Sequence, residues 1–360
     1  MMKKILAVAI ASAFAAPAFA ATANVDISGK MAFDVTKASG TGTANENTYH
    51  LMNNNSRFTL KGSEDLGGGM KAGFSTTYGF SNVSGGGIGS QDTYVFLGGG
   101  WGEVRAGIHD NLVKAIGRSV DLFGDQSSGD ARHSNVVAYL SPNFAGFQAA
   151  VGVGMDETKA SNGGQLTMAT LTYKNGPLYA GLGYHKRDNN ASAAAGTATI
   201  ALTTVIGVTA GGAPVFATTT TAVAAVVGDD ETALRLGISY NLGNLRFVGL
   251  YQNVENVNGV AAADIKTWGL GAGYKMGAIT VKGQYYDVND DRANRDSKVY
   301  ALGADYAFSK RTVAQLTYAK FKNSTAANRG GAAATGGSDV LAIANGADPS
   351  RISLGLVHNF

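Results

Sequence analysis

Apolar and polar residues alternate with a period of two along most of the chain. In Arg57–Ser63, Phe58, Leu60 and Gly62 share one face while Arg57, Thr59 and Lys61 share the other. Met70–Phe80 sets Ala72, Phe74, Tyr78 and Phe80 against Lys71, Ser75 and Thr77, and Thr232–Leu242 sets Leu234, Leu236, Ile238 and Tyr240 against Arg235, Ser239 and Asn241. Alternation sustained over about 10 residues marks a strand that crosses a membrane within a barrel, since strands of soluble sandwiches typically run about 5–6 residues. Short turns fall at 65–69, 99–102, 141–146, 175–177, 241–244, 275–278 and 308–311, all but the last bearing glycine, proline or asparagine. Long connections alternate with them, near 38–53, 81–91, 108–133, 155–166, 188–230, 254–264, 288–297 and 323–350. Fifteen connections predict sixteen strands. The expected fold is all-β: a closed antiparallel transmembrane barrel with short turns on one rim and long loops on the other. Its closure is dictated by lipid, which offers nothing to hydrogen-bond an open sheet edge. Tyr78, Phe80, Tyr184, Tyr240, Tyr274, Tyr306 and Phe308 fall near strand ends, where aromatic girdles meet lipid headgroups.

One stretch breaks the pattern. Ile108–His133 carries Asp110, Asp121, Asp125 and Asp130 beside Lys114, Arg118 and Arg132, with apolar residues between them. Two readings fit: a partly helical loop folded into the bore, its charges facing charges on the wall, or an exposed loop with a short amphipathic helix. A second unusual stretch, 191–228, has no charge and contains the apolar run IALTTVIGV. Its threonines and the Gly211-Gly212-Ala213-Pro214 break favour a long surface hairpin over a transmembrane helix.

Composition narrows the class. Charged residues make up 15% of the chain, against roughly 25% in soluble domains, and there is no cysteine for disulfides or thiolate metal sites. Residues 1–20 read as a secretory signal: Lys3 and Lys4, an apolar run Ile5–Phe14, and Ala18-Phe19-Ala20 for cleavage, with Ala21-Thr22-Ala23 as a second cut. Residues 21–360 would then form the barrel. Losing Lys3 and Lys4 from the 29 basic residues leaves 27 against 26 acidic ones, formally +1, which disfavours nucleic acid as a partner. The five histidines lack metal-ligand spacing, and neither a catalytic triad nor a nucleotide loop is formed; Gly269-x-Gly271-x-Gly273 sits within a strand, where it eases curvature or close packing. No enzyme, cofactor or metal is expected.

Several stretches resemble the general porins of Gram-negative bacteria, of the neisserial and beta-proteobacterial type. They are Ser56-Arg57-Phe58 with Lys61–Gly67, VVAYLSPNFAG at 136–146, YALGADYAFSKRT at 300–312 and the ending GLVHNF. The resemblance implies a sixteen-stranded barrel in the outer membrane, usually a homotrimer, with the third long loop in the pore. It implies passive diffusion of small hydrophilic solutes and ions, and a terminal Phe360 that marks the chain for the outer-membrane insertion machinery. The sequence departs from the family at Gly107-Ile108, where a glycine-arginine pair is common, leaving Arg105 as the alternative wall charge. The loop around residue 86, which often latches a neighbouring subunit, is short here.

Rings of side-chain charge select ions in a confined bore. The basic candidates for the narrowest point are Arg57, Lys61, Arg105 and Arg132, joined by Lys114 and Arg118; the acidic ones are Asp121, Asp125 and Asp130. This balance predicts a weak anion preference. A barrel enzyme, or a structural or adhesive barrel with a blocked bore, are the alternatives that channel conductance would separate.

Overall fold

The structure is a computed structural model that describes residues 24–80, 87–123, 132–155, 164–188, 198–208, 214–223, 229–329 and 342–360. The proposed signal segment, Asp125 and Asp130 lie outside these residues.

In chain order the elements are β1 (Asn24–Ser39), β2 (Tyr49–Asn53), β3 (Arg57–Gly67), β4 (Met70–Gly79), β5 (Gly89–Gly99), β6 (Gly102–Asp110) and α1 (Lys114–Val120). There follow β7 (Arg132–Leu140), β8 (Phe147–Gly154), β9 (Leu166–Asn175), β10 (Leu178–Arg187), β11 (Ala198–Val208) and β12 (Pro214–Val223). The last are β13 (Glu231–Leu242), β14 (Leu245–Glu255), β15 (Ile265–Met276), β16 (Ile279–Asp290), β17 (Ser297–Ala307), β18 (Thr312–Asn323) and β19 (Ser350–Asn359).

β2 and β3 form one wall strand. Both pair with β1, through Phe33↔Asn53 and Lys30↔Arg57, and the ladder is broken only at 54–56. There the Ser56 hydroxyl takes over, donating to the Ala32 carbonyl at 2.9 Å and accepting its N–H at 3.0 Å. Counted so, and with β11 and β12 set aside in a ribbon of their own, the main sheet has sixteen strands. Each is antiparallel to its neighbours, and β1 meets β19 from Lys30↔Asn359 to Ser39↔Ser350, which closes the barrel. The uncharged stretch therefore contains a β-hairpin, with Thr204 opposite Ala217.

The burial pattern is that of a wall with lipid outside. Along β13 the outward Leu234, Leu236, Ile238 and Tyr240 are exposed, while the inward Arg235 and Ser239 are buried. Both ends of the sheet's chain path lie at the short-turn rim: Asn24 pairs with Ser63, and Phe360 exchanges backbone hydrogen bonds with Gly29. Two-residue turns such as Gly243-Asn244 and Gly277-Ala278 place glycine at φ +58° and +60°, the left-handed conformation that tight hairpins demand. Aromatic rings collect near both rims. Tyr240, Phe247, Tyr274, Tyr306 and Phe308 lie toward the turns. Toward the loops, Trp268, Tyr285 and Tyr300 form a run with ring centroids 5.2 and 5.0 Å apart. Tyr78 and Phe80 are half-buried against Phe58 rather than fully exposed.

At the loop rim, the segment between β1 and β2 closes on Glu46. Its carboxylate accepts the N–H groups of Gly40 and Thr41 at 2.8 and 2.7 Å, and these bonds hold its carboxyl below the usual range.

A helix docked across the bore

The chain leaves β6 at Asp110 and turns inward. Asn111 starts the crossing: its side-chain oxygen accepts the Val113 N–H at 3.0 Å, and its amide nitrogen lies 2.9 Å from His185 Nδ1 on β10. α1 then runs for two turns with Val113, Ile116 and Val120 on one face, at the i, i+3, i+7 spacing of a helical stripe. All three are almost fully buried, and they are buried against the inner wall of the barrel.

That wall is built to receive them. A Cβ at Gly237 would come within 2.7 Å of Ile116 Cγ2, and one at Gly183 within 2.8 Å of Ile116 Cδ1, so only glycine leaves room for the helix. Beside this floor, Val248, Leu250 and Tyr286 point inward and pack on Val120. The inner face is apolar over this sector, where the helix supplies the apolar partner. Gly269 and Gly271, read as packing glycines, lie beneath Tyr286 and Val248 here.

Polar side chains clamp the backbone at both ends. Arg235, buried on β13, donates Nη1 to the Val113 carbonyl at 3.3 Å and Nε to Gln252 at 2.7 Å. Gln284 donates to the Val120 carbonyl at 3.2 Å and accepts the Leu122 N–H at 2.8 Å, while Arg246 donates to the Ser119 carbonyl at 2.7 Å. The bonds to Ser119 and Val120 satisfy carbonyls that a helix C-terminus leaves without intrahelical partners. Phe123 ends the crossing against Gly303, with Lys282 Nζ 4.9 Å from its ring centre.

The helix's other face carries charge. Arg118 is ion-paired with Asp110, whose other oxygen has Arg132 at 3.1 Å and Lys114 at 3.9 Å. Arg132 also reaches Asp92 on β5 at 3.5 Å. Arg57, inward on β3, feels Arg118, Asp110, Asp92 and Arg132 as its charged neighbours. Four of the sequence-derived candidates, Arg57, Lys114, Arg118 and Arg132, are therefore gathered at one point with two carboxylates.

Two others stand apart, toward the short turns. Arg105 is paired with Glu103 and lies 4.8 Å from the Tyr94 ring centre, and Lys61 stands 5.9 Å from that of Phe96. Asp121 accepts its own loop's Phe123 N–H at 2.7 Å, a local turn bond. Phe360 is exposed on the outer face, its ring across Gly29. Asp92 and Asp110 were absent from the charge ring expected from sequence. Asp92 shares the inward parity of Tyr94 and Phe96, a signal that could have found it.

A closed antiparallel sheet, apolar outside and charged within, with a helix laid across its interior, defines a membrane-spanning β-barrel channel. The chain belongs to the family of Gram-negative porins, whose family model matches residues 7–326. It is 30% identical over 305 residues to outer membrane porin protein 32 of Delftia acidovorans, covering 76% of each chain. Among solved structures it is similar to an anion-selective porin from Comamonas acidovorans, at 25% identity and a TM-score of 0.73 over 94% of this chain and 100% of that one. The barrel of OmpT from Vibrio cholerae, in its trimer form, shares the fold at 12% identity and a TM-score of 0.65, covering 94% of this chain and 99% of that one. The protein is an outer-membrane porin.

Proposed function

We propose that the channel passes small hydrophilic solutes and ions by diffusion, with a preference for anions set where α1 crosses the bore. The observation that carries this is the local charge count. Arg57, Lys114, Arg118 and Arg132 put four cations against Asp92 and Asp110, while the mature chain as a whole is close to neutral. In a confined space of lowered dielectric, such an excess raises the local concentration of anions. The similarity to a porin described as anion-selective supports the same sign. In this reading the protein carries out no catalysis and is a homotrimer, as the resemblance in sequence implies. It is exported through cleavage of residues 1–20 and recognised at Phe360 by the insertion machinery. The test is the zero-current potential of the purified protein in a planar bilayer across a salt gradient. Wild type should favour chloride, and Arg57→Glu, which makes the local count three against three, should bring the potential close to that of a non-selective pore. A potential that stays where it was would remove Arg57 from the selective point.

A further inference from the structure

On the short-turn side of α1, the inner wall between β4 and β8 forms a half-open cavity of about 360 Å³. Its size is at the lower end of the range of about 300–1,000 Å³ that small-molecule sites occupy. Phe96 supplies a flat apolar wall. Its ring tip lies across Gly73, where a Cβ would approach Cζ to 2.7 Å, and the ring lines the cavity with Lys61 Nζ 5.9 Å from its centre. Leu140 adds a second apolar surface. Tyr94, the neighbouring inward ring, is already stacked on His109 at 4.7 Å and covered by Arg105.

The charge of the cavity is positive. Glu103 is neutralised by Arg105, whereas Lys71 in the lining has no hydrogen bond or ion pair among the described residues. Lys61 stands close by over Phe96, and Asp65, across from Lys71, accepts the Gly67 N–H at 2.8 Å. The polar groups that a sugar would need are engaged elsewhere: Gln148 donates to the Ser141 carbonyl at 3.2 Å, and the Ser141 hydroxyl accepts the Ala149 N–H at 2.9 Å. A flat apolar face beside an uncommitted ammonium fits a planar ring that bears one negative charge.

We propose that this cavity is a subsite for small aromatic monocarboxylates on their way through the channel, with the ring against Phe96 and the carboxylate toward Lys71. The inference rests on the anion-preferring channel proposed above. It is tested by the chloride current of the reconstituted protein, with benzoate or cyclohexanecarboxylate added on the short-turn side. The two probes carry the same charge, but only benzoate is flat. Benzoate should reduce the current at about two- to tenfold lower concentration than cyclohexanecarboxylate, the margin expected for one ring–ring contact. Phe96→Leu should erase that ratio, and Lys71→Gln should weaken both probes alike; a chloride current from each variant establishes that it is folded. Equal potency of the two probes in wild type, or an unchanged ratio in Phe96→Leu, overturns the subsite and leaves the channel standing. Absence of any chloride current from the wild-type protein overturns both.

Discussion

Where α1 lies, the bore wall offers Gly183 and Gly237 as a floor, Val248, Leu250 and Tyr286 as an apolar bank, and Arg235 and Gln284 as clamps on the backbone. Across the interior, β3, β5 and β6 present Arg57, Asp92, Asp110 and Arg105 instead. One wall holds the helix by its apolar face and backbone; the other sets its charges toward the helix's charged face. The difference teaches that position and selectivity are separable here. Changes on the holding wall should move the helix, and changes on the facing wall should move the ions.

The largest effect is expected on the holding wall. Gly237→Leu forces a side chain into the space of Ile116, and overpacking of this kind typically costs about 1–3 kcal/mol. Because the helix can lift away into the bore, the strain should be relieved there. Limited trypsin digestion should then cut after Lys114 or Arg118, and the single-channel conductance should change. Intact 111–123 and wild-type conductance would mean that the glycine floor does not fix the helix. Next, Arg57→Glu on the facing wall should shift the zero-current potential toward cations with little change in the thermal transition of the barrel. At about 0.1 M salt the screening length is about 10 Å, so that shift should shrink as salt is raised.

A smaller and opposite signature is expected from Arg235→Met. It removes the clamp on the Val113 carbonyl and leaves Gln252 without its guanidinium partner, a loss of about 1–3 kcal/mol for buried groups left unpaired. The helix should become sensitive to protease at lower temperature, while the zero-current potential moves less than in Arg57→Glu. The smallest effect belongs to neither wall. With its carboxyl held below the usual range, Glu46 stabilises the rim loop fully above the ordinary carboxylate pKa, and that contribution is lost as pH falls through the depressed value. Protection of the Gly40 and Thr41 amides, measured against their intrinsic exchange rates, should fall at acid pH, and in Glu46→Gln at neutral pH.

The wall itself was legible in the sequence, because a strand with one face in lipid writes its parity into every second residue, as in β13. The strand count followed from the turns, even though β1 and β2 extend further into their loop than 38–53 suggested. The holding sector was not legible. Phe247 to Tyr251 is apolar on both faces, and what occupies the second face is decided by a helix more than a hundred residues earlier. Gly183 and Gly237 look like any strand glycine until Ile116 lies over them. Arg235 shares its strand's polar parity with pore-facing residues, yet the docked helix buries it completely; parity reports a face, not what covers it. Nothing in the sequence context of Asp121 announced that its carboxylate accepts the Phe123 N–H of its own loop.

The seam between β1 and β19 bears on how the chain can be made. Its two strands are joined by contacts such as the hydroxyl pair Thr36–Ser353, 2.8 Å apart and separated by 317 residues of sequence. Until the last strand arrives, β1 has an edge with no ladder on one side, and an unpaired edge is a template for joining any other strand. Partial barrels are therefore not smaller versions of the finished one: fifteen strands expose two edges, as many as two strands do. The ten residues of β19 convert an aggregation-prone sheet into a ring without ends. That makes the finishing step the point at which a membrane becomes a habitable solvent for the whole molecule.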